Sequence, residues 1–500
     1  MLAAHTQRKQ GSFILQRESI MHIEQFFLEG LGHQSYLITD EESGDAAVID
    51  PRRDVDVYIE AAHRAGVHIT HILETHVHND YVTGARELAA QTGATIVAGA
   101  GDPLHYEHRA VREGDESQVG TLRFRVMETP GHTPHHVSYA LYEQGRNEPT
   151  ALFSGGSLLA GNAGRTDLLG DAWTLTLTRQ QYHTLRRLLD TLPGQVRVYP
   201  THGAGSFCMA SATTPAHSTT IAQERLVSPA ALAKDELDFV KRQLAGYIAY
   251  PTYYKYMHDI NVGGPTILGQ LPELLSLQPA EVQSRLEHGI PLIDGRSRYA
   301  FAREHIPGSL NIELDSSFGT YVGWLLPFNQ PIMFLIEDEE GRREAVMQLI
   351  RIGYEQFEGY LDGGLASWKM ASSPTEAFEL IDVDTLYRRW QQHTSMTILD
   401  VRRDEEWRAG HIPHAQHLHI AELAARIDEV PHDEPVAVIC RTGHRAEIAA
   451  SILATTGRKV IAVGQGGMAD WLERGLPYET EEAPEIDLSR LPEQATHAHP

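Results

Sequence analysis

One cysteine in the C-terminal part of the chain lies in a loop that suits anion chemistry. The segment that begins with it reads Cys440-Arg441-Thr442-Gly443-His444-Arg445. The apolar run 435–439 predicts a buried strand and 446–455 a helix, so the thiol lies at a strand-to-helix junction. Backbone N–H groups and a helix N-terminus there favour an anion, and Arg441 and Arg445 add positive charge. These residues predict a reactive thiolate that could carry a persulfide.

A cysteine phosphatase is the main competing interpretation, because both chemistries place a thiolate in a loop of backbone amides. Four residues separate Cys440 from Arg445. Related phosphatases have a longer loop, which makes a larger cradle for a phosphoryl group. Loop length therefore favours sulfur transfer. A buried, unreactive cysteine is the other alternative, and the flanking arginines count against it.

A second set of candidate residues consists of histidines that come directly after apolar strand patterns: His76, His78, His132 and His202. Strand ends are where α/β folds usually place their sites. Two histidines at i and i+2, such as the first pair, can face one ion if the loop bends. A single histidine of this kind could be a surface residue. Three such strand ends together predict a metal site.

The elements that must position these residues are those of a multidomain α/β protein. The chain has 500 residues, and ~100–200 residues per domain predicts about three domains. Between residues 21 and 250, short β-branched runs alternate with helical patterns, which is typical of an α/β layered domain. The predicted strands are 46–49, 69–73, 95–98, 123–128, 151–154 and 196–199.

An internal repeat follows that segment. Three pairs of motifs occur in the same order: LIDGR (292–296) with ILDVR (398–402), EHIPG (304–308) with GHIPH (410–414), and GGLASW (363–368) with GGMADW (466–471). Each repeat reads as a small α/β domain. We predict an N-terminal extension at 1–20, a first domain at 21–255, repeats at 270–372 and 378–480, and a tail at 481–500.

The first repeat has no cysteine at the position of Cys440, where the chain reads MFLIEDEEGR (333–342). It cannot carry sulfur covalently there, and a carboxylate near Glu337 would repel an anionic substrate. We expect it to act as a spacer or a docking surface between two active units.

Composition restricts the partners of this chain. A formal net charge of −25 argues against nucleic acid, which binds through Lys and Arg. No run approaches the ~18 apolar residues of a membrane-spanning helix. The start of the chain lacks the features of a secretory signal, and two cysteines, Cys208 and Cys440, suggest a reducing cytoplasm.

The second repeat resembles the rhodanese family. The resemblance rests on the Cys440 loop, on Asp400 and Arg402, and on the GHIP segment at 410–413. It implies that Cys440 accepts a sulfane sulfur and passes it to a nucleophile. It also implies that Arg441, Arg445, Asp400 and Arg402 belong to the catalytic site, and that Gly443 and His444 contact the substrate.

The first domain resembles the metallo-β-lactamase fold, an αββα sandwich, and in particular its persulfide dioxygenase branch. The matching segments are THVHND (75–80), ETPGHTPH (128–135), GRTD (164–167), YPTHG (199–203) and PTYY (251–254). In that branch two His and one Asp hold a mononuclear iron(II). His76 and His132 match the histidines, but Gly156 stands where the Asp is expected. Tyr81 replaces the last His of the broader HxHxDH motif, which disfavours a two-metal hydrolase.

The sequence leaves the rest of the ligand set open. His78, Asp80 or Asp167 could supply a substitute ligand, the metal could be held weakly, or catalytic metal could be absent; His202 is a further candidate, and zinc is an alternative to iron. The resemblance also implies that Arg165, Tyr199 and Cys208 contact the substrate. Cys208, six residues after His202, could hold a persulfide or be a small buried residue.

The resemblance as a whole implies a cytoplasmic sulfide-detoxification protein, with dimerisation as a further possibility. It would oxidise a low-molecular-weight thiol persulfide, such as that of glutathione, and move sulfur through Cys440 to yield sulfite or thiosulfate. Two alternatives stay open. One is a thioester hydrolase of the glyoxalase II type, and the other is a degraded N-terminal scaffold that serves only the sulfurtransferase.

Overall fold

The N-terminal domain is built on two six-stranded sheets. The computed structural model describes residues 21–210, 216–483 and 488. The first sheet contains, in spatial order, β1 (Met21–Leu28), β2 (His33–Asp40), β3 (Asp45–Ile49), β4 (His68–Leu73), β5 (Thr95–Gly99) and β6 (Arg109–Val111). The second has the order β14-β13-β10-β9-β8-β7, with β7 (Glu116–Val119), β8 (Leu122–Glu128), β9 (Val137–Tyr142), β10 (Ala151–Gly155), β13 (Arg197–Pro200) and β14 (Thr219–Thr220). A small hairpin joins β11 (Leu158–Leu159) to β12 (Asn162–Ala163).

Helices cover the outer face of each sheet. They are α1 (Asp56–Ala65) and α2 (Ala85–Thr92) on the first sheet, and α3 (Asp171–Thr191), α4 (Ile221–Val227), α5 (Pro229–Leu232) and α6 (Glu236–Ala245) on the second. In β8, Leu122, Phe124 and Val126 are buried, while Arg123 and Arg125 between them point outward. This alternation buries one face of the strand between the sheets. The predicted αββα sandwich is confirmed.

The two repeats share one topology. The first contains β15 (Ser276–Leu277), α8 (Pro279–Glu287), β16 (Leu292–Asp294), α9 (Arg298–Arg303), β17 (Leu310–Asn311), α10 (Phe318–Leu325), β18 (Ile332–Leu335), α11 (Glu339–Arg351), β19 (Phe357–Leu361) and α12 (Gly364–Met370). Its parallel sheet has the order β15-β19-β18-β16-β17.

The second repeat contains β20 (Glu379–Asp382), α13 (Val383–Gln391), β21 (Thr397–Asp400), α14 (Asp404–Ala409), β22 (Gln416–His417), α15 (Ile420–Leu423), β23 (Val436–Ile439), α16 (His444–Ala454), β24 (Val460–Gln465) and α17 (Met468–Glu473). Its parallel sheet has the equivalent order β20-β24-β23-β21-β22. The motif tryptophans are equivalent too, since the indoles of Trp368 and Trp471 each donate to a proline carbonyl at 2.8 Å.

The first repeat lies between the other two domains. Arg351 makes a bidentate ion pair with Asp54 of the N-terminal domain, at 2.7 and 2.8 Å. On the other side, the Ser451 hydroxyl accepts the Asn311 N–H at 3.1 Å. The helix α7 (Tyr254–Gly263) connects the N-terminal domain to this repeat, so the boundary predicted at residue 255 falls inside a helix.

Two sequence predictions concern the ends of the chain and membranes. The N-terminal extension at 1–20 and most of the tail at 481–500 lie outside the described residues. Within the part of the chain that the structure describes, no helix is both long and apolar enough to span a bilayer.

Candidate functional site

The four predicted histidines converge on one buried pocket between the ends of the two sheets. His76 and His78 follow β4, His132 follows β8, and His202 follows β13. Ligand atoms of His76, His78 and His202 all lie within 4.8 Å of one another. The ligand atoms of His132, His202 and Cys208 also lie within 4.8 Å of one another. The structure therefore brings together the metal-binding candidates from three strand ends and the more distant cysteine.

Hydrogen bonds fix two of these imidazole rings. Nδ1 of His76 lies 2.8 Å from the Thr75 hydroxyl, which donates to Asp50 at 2.8 Å. Nδ1 of His132 lies 2.7 Å from the carbonyl oxygen of Arg165. Nε2 of each ring is buried and has no hydrogen-bond partner. Such outer contacts commonly orient metal-binding histidines.

His78 is paired with carboxylates. Its Nε2 lies 3.4 Å from Asp50 and 3.4 Å from Glu74, and all three side chains are buried. Burial alone would lower the pKa of His78, but the charges of Asp50 and Glu74 outweigh it and raise the pKa to about 10. This ring is thus held as a cation between two acidic groups, which makes it a weaker ligand candidate than its neighbours.

Two predicted site residues are engaged elsewhere. Both carboxylate oxygens of Asp167 accept hydrogen bonds from Arg165 at 2.7 Å, so Asp167 does not supply the missing ligand. Tyr199 packs between the sheets, with its ring 5.4 Å from Tyr36 and 5.4 Å from Phe153, and it serves the core rather than the substrate. The role of Tyr199 has no local sequence signal, because its packing partners Tyr36 and Phe153 lie far along the chain. The partner of Asp167 is local, but the sequence does not show whether the carboxylate pairs with Arg165 or binds an ion.

The space that a side chain at position 156 would need is occupied. A Cβ added to Gly156 would lie 2.1 Å from Cδ2 and 2.6 Å from Nε2 of His132. An aspartate there would require the His132 ring to move. Asp80 lies in the pocket but next to His202, with 3.3 Å between Oδ2 and Nδ1. The two-His-one-carboxylate arrangement is therefore not formed through position 156.

The pocket nevertheless fits a metal ion. Nitrogen atoms of His76, His132 and His202 are buried without partners, which is costly unless something binds them. Imidazole nitrogen suits both iron(II) and zinc, and a thiol is a further donor for either. These residues fit a mononuclear metal, with a donor set that differs from the facial triad.

Sequence reasoning missed the residue that holds the histidine loop to the rest of the protein. Asn261, on α7, donates from its side-chain amide to the carbonyl oxygens of His78 and Tyr81 at 2.8 Å each. Its amide oxygen accepts the N–H of Thr83 at 3.0 Å. Nothing near Asn261 in the sequence signals this contact, because its partners lie on a distant segment.

The Cys440 loop lies between β23 and α16, as predicted. The N–H of Gly443 donates to Sγ of Cys440 at 3.2 Å. Gly443 has φ +103°, and a Cβ there would come within 2.5 Å of the carbonyl oxygen of Gly464. Only glycine fits this turn. The thiol is therefore held in a tight loop where a backbone amide faces the sulfur.

Three charged residues predicted in the catalytic site form ion pairs, and one of them, Arg445, also lines the cavity at the loop. Arg445 makes a bidentate ion pair with Glu406 at 2.6 and 2.8 Å, so its charge is largely engaged. Asp400 and Arg402 pair with each other, and Arg402 also donates to the carbonyl of Gly410 at 2.7 Å. Both side chains are buried, and their place in the catalytic site stays a prediction.

The mouth of the Cys440 loop is a cavity of about 250 Å³ formed by all three domains. Arg441 and His444 line it from the active repeat, Tyr321 and Trp324 from the first repeat, and Phe207 from the N-terminal domain. The rings of Tyr321 and His444 lie 5.0 Å apart. The first repeat thus forms one wall of the site, which agrees with a docking role.

Family models match the chain in three places. The description "Rhodanese-like domain" matches residues 278–371 and 382–474, and "Metallo-beta-lactamase superfamily" matches residues 28–202. A metallo-beta-lactamase structure from Staphylococcus aureus is 30% identical, has a TM-score of 0.61, and covers 68% of this chain and 99% of its own. That match extends beyond the first domain.

Curated relatives match the first domain. Human mitochondrial persulfide dioxygenase is 31% identical over 218 residues, which are 41% of this chain and 74% of the relative. A hydroxyacylglutathione hydrolase from Rhodospirillum rubrum is 39% identical over 169 residues, 33% of this chain and 60% of the relative. The chain spans little more than half the length of the hydroxyacylglutathione hydrolases it matches. The chain belongs to the metallo-β-lactamase superfamily, as a fusion of a persulfide-dioxygenase-like domain with two rhodanese-like domains.

Proposed function

We propose that this protein is an enzyme of sulfur metabolism that oxidises a low-molecular-weight persulfide in its N-terminal domain and transfers sulfane sulfur through Cys440. The observation that carries the sulfur-transfer part is the geometry of the loop. The buried thiol faces the N–H of Gly443 at the start of α16, and the loop residues that follow it, Arg441 and Thr442, line a cavity. A helix N-terminus stabilises the negative charge of a thiolate or a persulfide.

The transfer step follows from this geometry. The Cys440 thiolate attacks the outer sulfur of thiosulfate, forming a new S–S bond as the bond inside thiosulfate breaks. Sulfite leaves with the bonding electron pair. A thiolate acceptor then attacks the terminal sulfur and releases the Cys440 thiolate. Arg441 is exposed at the cavity mouth and free to attract the anionic donor, whereas Arg445 is paired with Glu406.

In the N-terminal domain, His132 and His202 would hold the metal, with His76 beside His202 as a further candidate ligand. A bound iron(II) would supply the dioxygen binding and redox chemistry that persulfide oxidation needs. Thr75 and the Arg165 carbonyl keep two of the rings in place, and burial of the pocket limits the access of water. The similarity to human persulfide dioxygenase supports this activity. Glutathione persulfide is the proposed substrate, since the hydrolase relatives are named for a glutathione thioester.

Thioester hydrolysis is a second candidate, favoured by the 39% identity to a hydroxyacylglutathione hydrolase. Two positions count against it. Gly156 offers no carboxylate that could bridge two ions, and Tyr81 stands in place of a histidine. The third candidate is a scaffold without metal. It is supported by Gly156, which stands where a metal-binding Asp is expected.

Metal analysis of the anaerobically purified chain, combined with oxygen uptake, separates these candidates. We expect one iron per chain and oxygen consumption with glutathione persulfide, both retained in Cys440→Ser. Zinc with hydrolysis of S-lactoylglutathione would favour the hydrolase. Metal-free protein that still transfers sulfur from thiosulfate to cyanide would contradict the dioxygenase and leave the sulfurtransferase.

A further inference from the structure

The metal pocket lacks a side chain at position 156 but contains a buried thiol. We propose that Cys208 binds the metal ion as a thiolate, together with His132 and His202, and so supplies the anionic ligand that Gly156 does not. Of the proposed function, this inference requires only that the N-terminal domain binds a metal ion.

The geometry of the three side chains carries the proposal. One nitrogen of each histidine and Sγ of Cys208 lie within 4.8 Å of one another. All three side chains are buried, with Cys208 completely inaccessible. Nε2 of His132 and Nε2 of His202 have no hydrogen-bond partner, and Nδ1 of His202 lies 3.3 Å from Asp80. Two imidazoles and a thiolate at this spacing are a known type of metal ligand set.

Arg165 positions two of these ligands at once. Its carbonyl oxygen lies 2.7 Å from Nδ1 of His132, which leaves Nε2 for the ion. Its N–H donates to the carbonyl of Cys208 at 2.8 Å, and its guanidinium donates to the carbonyl of Phe207 at 2.9 Å. The hydroxyl of Ser206 accepts the N–H of Cys208 at 3.1 Å. The cysteine is thus held by its backbone, with its side chain in the pocket.

The arrangement also explains why position 156 is glycine. The His132 ring occupies the space that a side chain there would need, at 2.1 Å from the nearest ring atom. A ligand from another segment is compatible with this ring position, and Cys208, whose Sγ lies within 4.8 Å of a His132 nitrogen, is on a separate loop.

Charge balance favours an ion over an empty cluster. Asp80 lies beside His202, buried, with neither carboxylate oxygen hydrogen-bonded. A divalent cation would offset this carboxylate and the thiolate. On binding, the Cys208 thiol gives its proton to solvent, a sulfur–metal bond replaces the sulfur–hydrogen bond, and no electron is transferred.

The test is the absorption spectrum of the full chain loaded with cobalt(II) in place of the native metal. A thiolate ligand gives a charge-transfer band in the near ultraviolet, in addition to the visible bands of cobalt. We expect that band in the wild type and in the control Cys440→Ser, and we expect Cys208→Ser to lose it. The affinity for cobalt should fall at least as much as the ~10–100-fold that loss of a supporting contact costs.

Two further measurements keep this test decisive. Thermal unfolding of the full chain, followed by circular dichroism, shows whether Cys208→Ser keeps a folded N-terminal domain. Cys208→Asp should recover cobalt binding without the near-ultraviolet band. Stoichiometric cobalt without the band in the wild type, or a band that persists in Cys208→Ser, overturns the inference but not the metal domain. If the wild type does not bind cobalt, both the Cys208 inference and the proposed metal site of the N-terminal domain are overturned.

Discussion

The two rhodanese-like repeats differ most at the N-terminus of one helix. In the second repeat, the Gly443 N–H before α16 faces Sγ of Cys440 at 3.2 Å. In the first repeat, the Gly341 N–H in α11 donates to the carboxylate of Asp338 at 2.7 Å. Equivalent helix ends thus face a thiol in one repeat and the chain's own carboxylate in the other. The fold provides an anion-binding backbone, and the residue placed there decides whether it can perform chemistry.

The first repeat has retained a structural function. Its Asp294 is buried and pairs with the partly buried Arg296 as Asp400 does with Arg402, and Arg296 donates to a backbone carbonyl in the same way. Its helix α10 contributes Tyr321 to the wall of the cavity at Cys440. The first repeat therefore has the framework of the second without a thiol at the equivalent strand end.

The largest expected effect concerns the thiol itself. Cys440→Ser should lower thiosulfate-to-cyanide transfer by about a thousandfold or more, because the group that carries the sulfur is lost. A steady-state sulfurtransferase assay measures this. The matched variant Ile336→Cys places a thiol at the equivalent strand end of the first repeat. It should not restore activity in a Cys440→Ser background, since Glu337 and Asp338 stay beside it; recovery would show that the carboxylates do not block the first repeat.

The buried Asp–Arg pairs come next. Arg402→Ala leaves Asp400 buried and unpaired, so it should lower the free energy of unfolding by about 3–5 kcal/mol. Arg296→Ala should act in the same direction through Asp294. Chemical denaturation measures both. If Arg402→Ala is as stable as the wild type but has lost sulfur transfer, the structural role is contradicted and a catalytic role of Arg402 is supported.

The fourth residue differs between α16 and α11, and this difference should make the stability of the second repeat depend on pH. Glu447 of α16 is buried without a hydrogen bond, and burial raises its pKa to about 8, whereas α11 has Arg342 there. Between pH ~4.5 and 8 the unfolded chain ionises Glu447 but the folded chain does not, so the native state loses stability as pH rises. At pH 8, Glu447→Gln should have a free energy of unfolding about 2–4 kcal/mol higher than the wild type. At pH ~4.5 the two proteins should be about equally stable. Equal effects in denaturation at both pH values would contradict this.

The smallest effect concerns the carboxylate cap. Asp338→Ala removes the acceptor for the Gly341 N–H and should destabilise the chain by about 1 kcal/mol, while Asp338→Asn should keep most of the stability. Sulfur transfer at Cys440 should not change in either variant. A thermal melt measures the stability of both variants, and the sulfurtransferase assay measures their activity. Loss of sulfur transfer would show that this helix end affects the active site in the second repeat.

The sequence predicted what depends on local pattern. The strand-end pattern predicted one pocket for His76, His132 and His202, and they meet because β4 of the first sheet and β8 and β13 of the second end on the same side of the sandwich. The paired motifs predicted two domains of equal topology. The sequence did not predict contacts set by distant segments. Tyr199 packs in the core against Tyr36 and Phe153, and Arg445 is paired with Glu406. The salt bridge between Asp167 and Arg165 is local, but residue types alone do not decide between that pair and an ion.

Sulfur loading of the intact chain tests the central claim most directly. After incubation with thiosulfate and without an acceptor, peptide mass spectrometry should find one added sulfur atom on Cys440 and none on that peptide in Cys440→Ser. Addition of cyanide or a thiol should remove it. Sulfur found only on Cys208, or an unmodified Cys440 under conditions that release sulfite, would contradict the assignment of Cys440 as the carrier.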